Sequence, residues 1–190
     1  MRYNWSMPTL WNNLRFWDYY YYSELHGAIS GRPWLNAFYL FFAKYGIVLI
    51  VLSLIYLIWK LTINAFICSF IAMAISTFLA FSVIIFWQRQ RPFVSHSDVF
   101  AKPITDGLYV SSVSFPSAHT YMSFALATSV FLYGHRRLGT ALFVLATLVA
   151  VGRVGAGLHY PSDAVAGALV GIVSGILAKR VVEHSQAKWE

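Results

Sequence analysis

Between residues 35 and 178 the chain divides into five apolar segments separated by polar breaks, running approximately 35–59, 63–87, 119–134, 138–156 and 160–178. A helix needs roughly 20 apolar residues to cross a bilayer, so each segment reads as a membrane-spanning helix. The third is short and leans on its polar start at Ser117 to reach full thickness. The first is interrupted by Lys44, and its uninterrupted part, Tyr45 to Trp59, is also short. Lys44 therefore belongs near one interface, where its charged end can reach out of the hydrocarbon. Trp59-Lys60 and Trp87-Gln88-Arg89 read as interface anchors.

Residues 1–33 follow a different pattern. Leu10, Leu14, Trp17, Tyr21 and Leu25 recur at steps of three or four, while Asn12, Asn13, Arg15 and Asp18 occupy other faces. This spacing predicts an amphipathic helix in the headgroup layer, where Tyr19 to Tyr22 and three tryptophans suit the interface. A buried core helix or a sixth span are the alternatives. Gly31-Arg32-Pro33 breaks the chain before the first span. The expected fold is thus an all-α integral membrane protein, a single domain over 1–190. It is a bundle of five transmembrane helices, or six if the N-terminal segment also crosses, with an N-terminal amphipathic interfacial helix.

Composition agrees with the pattern. The chain of 190 residues is 58% hydrophobic and only 11% charged, far from a soluble globular profile. Its formal charge of +7 is scattered singly or in short loop clusters, with no continuous basic stripe. That argues against nucleic acid as a partner and for membrane orientation plus an anionic substrate. The single cysteine, Cys68, lies inside an apolar run and excludes an internal disulfide. The N-terminus shows no pattern of a cleaved signal peptide.

The connections are unequal. Lys60-Leu61-Thr62 and His135-Arg136-Arg137 are short, whereas residues 88–118 form a long polar segment. With five spans, that segment and the 153–160 turn share one side. Lys60, Arg136-Arg137 and Lys179-Arg180 share the other side, which the positive-inside rule assigns to the cytoplasm. The 88–118 loop is then extracytoplasmic.

Three clusters on that side carry chemistry. Arg91 precedes Pro92, which turns the chain out of the second span with a guanidinium at the lip. Pro116-Ser117-Ala118-His119 opens the third span, and a serine at a helix start can cap backbone N–H groups that also attract anions. His119 beside it could donate a proton to a leaving oxygen. Arg153, His159 and Asp163 form the third cluster. His159 and Asp163 are four apart, so a helix opened by Pro161 lets the carboxylate orient the imidazole while the other ring nitrogen stays nucleophilic. Arg153 offers a planar fork for phosphate oxygens. Taken singly, each cluster also reads as interfacial or structural; their convergence on one side of one membrane favours a site.

Arg91-Pro92, Pro116-Ser117-Ala118-His119, and Arg153 with His159 and Asp163 together resemble the three-part signature of the type 2 phosphatidic acid phosphatase superfamily. The resemblance covers roughly residues 84–163. Within that superfamily the small size, Arg91-Pro92-Phe93-Val94, and Leu25-His26-Gly27 before the first span look similar to the bacitracin-resistance type of undecaprenyl-pyrophosphate phosphatase. Three positions depart from the signature. Ile84 stands where the superfamily has a lysine, Ala118 where it has glycine, and Gly152 where it has serine. Lys44, Arg89 and Lys102 are the candidates to supply the missing charge.

The resemblance implies a metal-free lipid diphosphate phosphatase of the bacterial plasma membrane, needing no cofactor. His159 would attack the terminal phosphorus, with Asp163 holding its imidazole. His119 would protonate the leaving lipid phosphate, and water would then hydrolyse the phosphohistidine. Arg91, Arg153, Ser117 and the Ala118 amide would bind the phosphate oxygens. The expected partners are a polyprenyl diphosphate and the surrounding membrane lipids. His26, His96, His135 and His184 are expected to be interfacial or loop residues. Another lipid phosphate, such as phosphatidylglycerophosphate, phosphatidate or lipid A, is the alternative substrate. From a different class, a transporter or binding protein for an anionic lipid would need the arginines but no oriented nucleophile.

Overall fold

The computed structural model describes residues 10–60, 63–96 and 113–187. Among the described residues seven helices follow in order: α1 Leu10–Ser30, α2 Pro33–Lys60, α3 Ile63–Phe86, α4 Pro92–Ser95, α5 Ala118–Leu132, α6 Arg136–Gly155 and α7 Pro161–Gln186. Proline sets three of the starts. Pro33, Pro92 and Pro161 each occupy a first helical position, where the missing N–H costs nothing and the fixed φ already suits a helix. Gly134, at φ 88°, lies just past the end of α5, a left-handed position that glycine takes without strain.

Four helices among the described residues are long and apolar enough to cross a membrane: α2, α3, α6 and α7. The fifth expected span, α5, has 15 residues, about 22 Å at 1.5 Å per residue. It is short because it is the centre of the bundle. α3, α6 and α7 pack around it, and Tyr121, Ala125, Leu126, Ala127 and Val130 are buried. A helix sheathed by protein need not match the hydrocarbon thickness. Its polar Thr120, Ser123, Thr128 and Ser129 are also buried, and Ser123 and Ser129 bond back to carbonyls four residues earlier.

Small residues allow this close packing. Gly167, Gly171 and Gly175 recur every four positions along α7, and a Cβ on each would lie 2.9, 2.5 and 2.6 Å from Ser117 O, Tyr121 O and Thr128 Cβ of the α5 segment. Small-residue stripes of this kind let helix backbones approach inside a membrane. Two apolar clusters complete the core. Ile50, Leu126, Val130, Leu142 and Val149 join α2, α5 and α6, while Cys68, Ala72, Ala125, Ala178 and Val182 join α3, α5 and α7. Phe78, Ile85, Val165 and Leu169 point outward and are at least half exposed. On a multi-pass protein such residues face hydrocarbon.

The N-terminal helix lies the opposite way round from a simple reading of its polar face. The expected apolar stripe of Leu14, Trp17 and Tyr21 is exposed, whereas Asp18, Tyr22 and Ile29 are buried. The stripe therefore looks toward lipid, and the face carrying Asp18 packs on the bundle. Tyr22 meets Tyr160 with ring centroids 5.6 Å apart. Leu10 belongs to the same stripe, but its side chain lies outside the described residues, as do Lys102 and positions 97–112 of the long loop.

Candidate active site

The site lies at the end of the bundle where α3 and α6 finish and α5 and α7 begin. The residue before proline favours extended backbone, and Arg91 has φ −71° and ψ 156°. That turns its buried side chain inward, where Nη1 donates to the Leu158 carbonyl at 2.8 Å. Arg153 comes from the last turn of α6. Gly157 then takes φ 76°, which reverses the chain so that the Leu158 N–H bonds to the Arg153 carbonyl at 3.0 Å and His159 points back into the bundle. Asp163 sits in the first turn of α7 and accepts from the Tyr160 N–H at 2.9 Å. The two ends of the long loop meet: Gln90 pairs with Val113, and the Ser114 N–H bonds to the Arg89 carbonyl at 2.7 Å. The Phe115–Pro116 peptide is cis.

His159 is held at both nitrogens. Its Nδ1 lies 2.8 Å from the carbonyl oxygen of Ser114, so this nitrogen carries the proton and donates it. Nε2 is then the acceptor, facing Arg91 Nη1 at 3.0 Å and Arg153 Nη2 at 3.4 Å. Arg153 Nη1 also donates to the Ala43 carbonyl of α2 at 3.2 Å. Among the described residues nothing accepts from the buried Nε of Arg153. A buried donor left unpaired costs about 1–3 kcal/mol, a cost that a bound anion would remove.

The electrostatics follow from burial and from these cations. The His159 imidazole is pushed down to about 4, first by burial, with the Arg153 and Arg91 charges adding and Asp163 opposing. The neutral form with a free Nε2 lone pair is therefore the resting state. Burial also lowers Arg91 to about 10, against the pull of Asp163, so it stays cationic at neutral pH. His119 lies in the first turn of α5, two residues after Ser117, whose N–H donates to the Asp163 carbonyl, so it stands beside the same constellation.

The structure brings together Arg91, Arg153, His159 and Asp163, with Ser117, Ala118 and His119 at the adjoining start of α5. Details differ from expectation. Asp163 Oδ2 stands 3.6 Å from His159 Nδ1, farther than the Ser114 carbonyl. Asp163 reaches the ring through Ser114, whose hydroxyl donates to Oδ2 and lies 3.3 Å from Nδ1. Ser117 occupies the N-cap position of α5, yet its side chain makes no cap bond; its hydroxyl oxygen accepts from Thr120 Oγ1 at 3.0 Å, and its N–H donates to the Asp163 carbonyl at 3.1 Å.

Of the candidate replacements for the lysine at Ile84, Arg89 is already engaged. It reaches Asp18 at 2.8 Å and Asp163 at 3.0 Å, and lies 3.9 Å over the Tyr160 ring. Lys44 follows Ala43, whose carbonyl binds Arg153, so it lies at the depth of the site. Gly152 has a steric cause. A Cβ there would come within 2.8 Å of Phe42 Cβ and 3.0 Å of the Ala43 nitrogen, so the serine of the signature does not fit α6 this close to α2. His96 is not a plain loop residue: its Nδ1 lies 3.1 Å from both Ser95 Oγ and Tyr160 OH.

Ser114 and Asp18 were not singled out from the sequence. Ser114 acts through its backbone carbonyl, which any residue type supplies. Asp18 did leave a signal, as the one acidic residue in the aromatic run from Phe16 to Tyr22.

Residues 65–187 match the PAP2 superfamily, and that stretch includes Arg91, Ser117, His119, Arg153, His159 and Asp163. The chain belongs to the PAP2 superfamily. Two relatives agree with the bacitracin-resistance type of phosphatase. The chain is 31% identical over 166 residues to the "Putative undecaprenyl-diphosphatase YbjG" of Escherichia coli, covering 85% of this chain and 80% of that protein. It is 43% identical over 63 residues to the bacitracin transport permease protein BcrC of Bacillus licheniformis, 33% of this chain and 30% of that protein. Among solved structures, Aquifex aeolicus LpxE superposes with a TM-score of 0.66 at 29% identity, covering 84% of this chain and 92% of that one. A Bacillus subtilis PAP2-type phosphatidylglycerolphosphate phosphatase shares the fold, with a TM-score of 0.58 at 22% identity over 88% and 94% of the two chains. The protein is thus an all-helical, multi-pass membrane member of a lipid phosphatase family.

Proposed function

We propose that the protein removes the terminal phosphate of undecaprenyl pyrophosphate through a phosphohistidine, giving undecaprenyl phosphate and inorganic phosphate. The observation that carries this reading is the fixed tautomer of His159, with Nδ1 donating to Ser114 and Nε2 facing two guanidiniums. A site that only gripped a lipid phosphate would need the cations but not an oriented lone pair. The name carried by YbjG supports the substrate.

In the first step Nε2 forms a bond to the terminal phosphorus while the bond to the bridging oxygen breaks. His119 gives its proton to that oxygen. In the second step water attacks the phosphohistidine, returns a proton to His119 and releases phosphate and free His159. Arg91 and Arg153 hold the equatorial oxygens, where charge must be stabilised in phosphoryl transfer. The bound diphosphate brings negative charge to the site, which favours the protonated acid when substrate is present. The polyprenyl tail stays in hydrocarbon while the diphosphate reaches the end of the bundle. The exposed Arg136, Arg137 and Arg180 lie at the opposite end. Their position supports an active site on the extracytoplasmic face of a bacterial plasma membrane.

The test is phosphate release by the purified chain from undecaprenyl pyrophosphate, phosphatidylglycerophosphate and phosphatidate, with and without chelator. Release from undecaprenyl pyrophosphate in chelator is the expected result. Preference for phosphatidylglycerophosphate would move the substrate to the one named for the B. subtilis structure. Silence on every lipid would sink the enzyme.

A further inference from the structure

Asp18 belongs to no motif of the site, yet its carboxylate is buried at the start of α7. Its Oδ1 accepts from the Ser162 N–H at 2.9 Å, and its Oδ2 accepts from the Ser162 hydroxyl and pairs with Arg89 Nη2 at 2.8 Å. The two partners of the Ser162 bond are 144 residues apart in sequence. The first N–H groups of a helix have no partner inside it, so a carboxylate from α1 completes the first turn of α7, the turn that carries Asp163.

Arg89 transmits this contact. Its Nη1 donates to Ser162 Oγ at 2.7 Å and to Asp163 Oδ1 at 3.0 Å. The planar fork therefore spans two carboxylates, one from α1 and one beside the nucleophile. Asp163 in turn accepts from Ser114, whose carbonyl fixes the His159 ring. A continuous path runs Asp18, Arg89, Asp163, Ser114, His159, with each link a hydrogen bond or ion pair among mostly buried groups.

We propose that Asp18 is a positioning residue for His159, acting through Arg89 and Asp163, so that the active site is complete only with α1 docked on the bundle. This rests on His159 as the nucleophile. Asparagine cannot substitute. It has one carbonyl oxygen and one NH₂ group. If the oxygen takes the Ser162 N–H, the NH₂ faces the Arg89 donor; if it is flipped, the NH₂ faces Ser162. Either way two donors oppose one another, and Arg89 loses one of its two anions.

The experiment uses the full chain in lipid vesicles, with kcat and KM measured for phosphate release from undecaprenyl pyrophosphate. Removing a group that orients a metal ligand costs about 10–100-fold in activity, and a group that orients a nucleophile is expected to act on the same scale. D18N should lose kcat in that range with KM nearly unchanged, and D18E should recover most of it. D18N combined with R89Q should be no slower than R89Q alone, because both cut one path. A kcat for D18N equal to that of the unaltered chain, or losses that multiply in the double variant, would overturn the proposal. If D18N fails to fold, R89Q cuts the same path at its next link and should lose kcat in the same range; an unchanged kcat would again overturn it. Imidazole NMR of His159 reads the same path without substrate. A D18N titration that differs from that of the unaltered chain supports positioning, and identical titrations refute it. If the unaltered chain releases no phosphate from any lipid, the proposed activity fails while the imidazole titrations still decide the role of Asp18.

Discussion

The Nδ1–H of His159 donates to the Ser114 carbonyl at 2.8 Å, while the Asp163 carboxylate stands 3.6 Å away. The tautomer is therefore fixed by backbone, and the carboxylate adds charge and braces Ser114. In a serine-protease triad, replacing the aspartate by asparagine costs about 10⁴-fold because the ring adopts the wrong tautomer. Here the carbonyl remains, so D163N should cost clearly less than that in kcat, and S114A, which keeps the carbonyl, less again. Steady-state phosphate release from the two variants checks the order. A D163N loss as large as in the triad would show that the carbonyl does not set the tautomer.

His119 is assigned to the leaving oxygen, and that role depends on the leaving group. A phenolate of low basicity departs with little help from a proton, whereas a more basic oxygen needs one. H119A should therefore lose far more activity on phosphatidate, which expels an alkoxide, than on an aryl phosphate. H159A should be inactive on both. Equal losses for H119A on the two substrates would remove it from the proton-donating role.

Much of this site was visible in the chain before folding. Arg91, Arg153, His159 and Asp163 stand out because charged groups at a membrane boundary are costly and their spacing is set by one turn and one helix start. The five apolar segments are equally plain, since hydrocarbon demands long apolar runs. What could not be read depended on tertiary contact. Ser114 contributes a carbonyl, which has no residue signature. Asp18 counted as part of an outward polar face because one helix's periodicity does not say which face meets protein; in a membrane the apolar stripe can turn to lipid. Gly152 looked like a lost hydroxyl and is a point of close approach between α6 and α2. The short α5 looked like a weak span and is the most enclosed helix.

The depressed His159 predicts a pH dependence with a definite sign. Its folded value of about 4 lies below the ordinary 6.5. Between these values the unfolded chain binds the extra proton and the folded chain does not, so acidification favours unfolding. The contribution is fully present above about pH 6.5 and is lost as pH falls toward 4. Imidazole NMR of the chain in nanodiscs should show His159 neutral at pH 5.5. R153Q removes a charge that opposes protonation and should raise the titration midpoint. A midpoint near 6.5 in the unaltered chain would contradict the burial argument.

Ile84 leaves the phosphate with one cation fewer than the superfamily signature. Lys44 is the remaining described candidate, since Arg89 is shared between Asp18 and Asp163. K44Q should raise KM for undecaprenyl pyrophosphate several-fold with a smaller change in kcat, the pattern of a lost uniform binding contact. Ile84 is half-buried in the last turn of α3, so I84K should lower KM if that position still faces the phosphate. A K44Q chain with unchanged KM would leave Arg91 and Arg153 as the described cations of the site.

Gly152 offers a test that separates packing from chemistry. The family serine would place Cβ 2.8 Å from Phe42 Cβ and 3.0 Å from the Ala43 nitrogen, contacts that force α6 and α2 apart. Overpacking of this kind costs about 1–3 kcal/mol. The same shift would move the Ala43 carbonyl that holds Arg153 Nη1 at 3.2 Å. G152S should therefore lower the thermal midpoint and raise KM together, although serine is the residue that the signature carries. Alanine at position 42 keeps the obstructing Cβ, and the Ala43 nitrogen and Tyr39 carbonyl stay in place, so F42A should not rescue G152S. A G152S chain as stable and as active as the unaltered one would mean that α6 does not lie this close to α2.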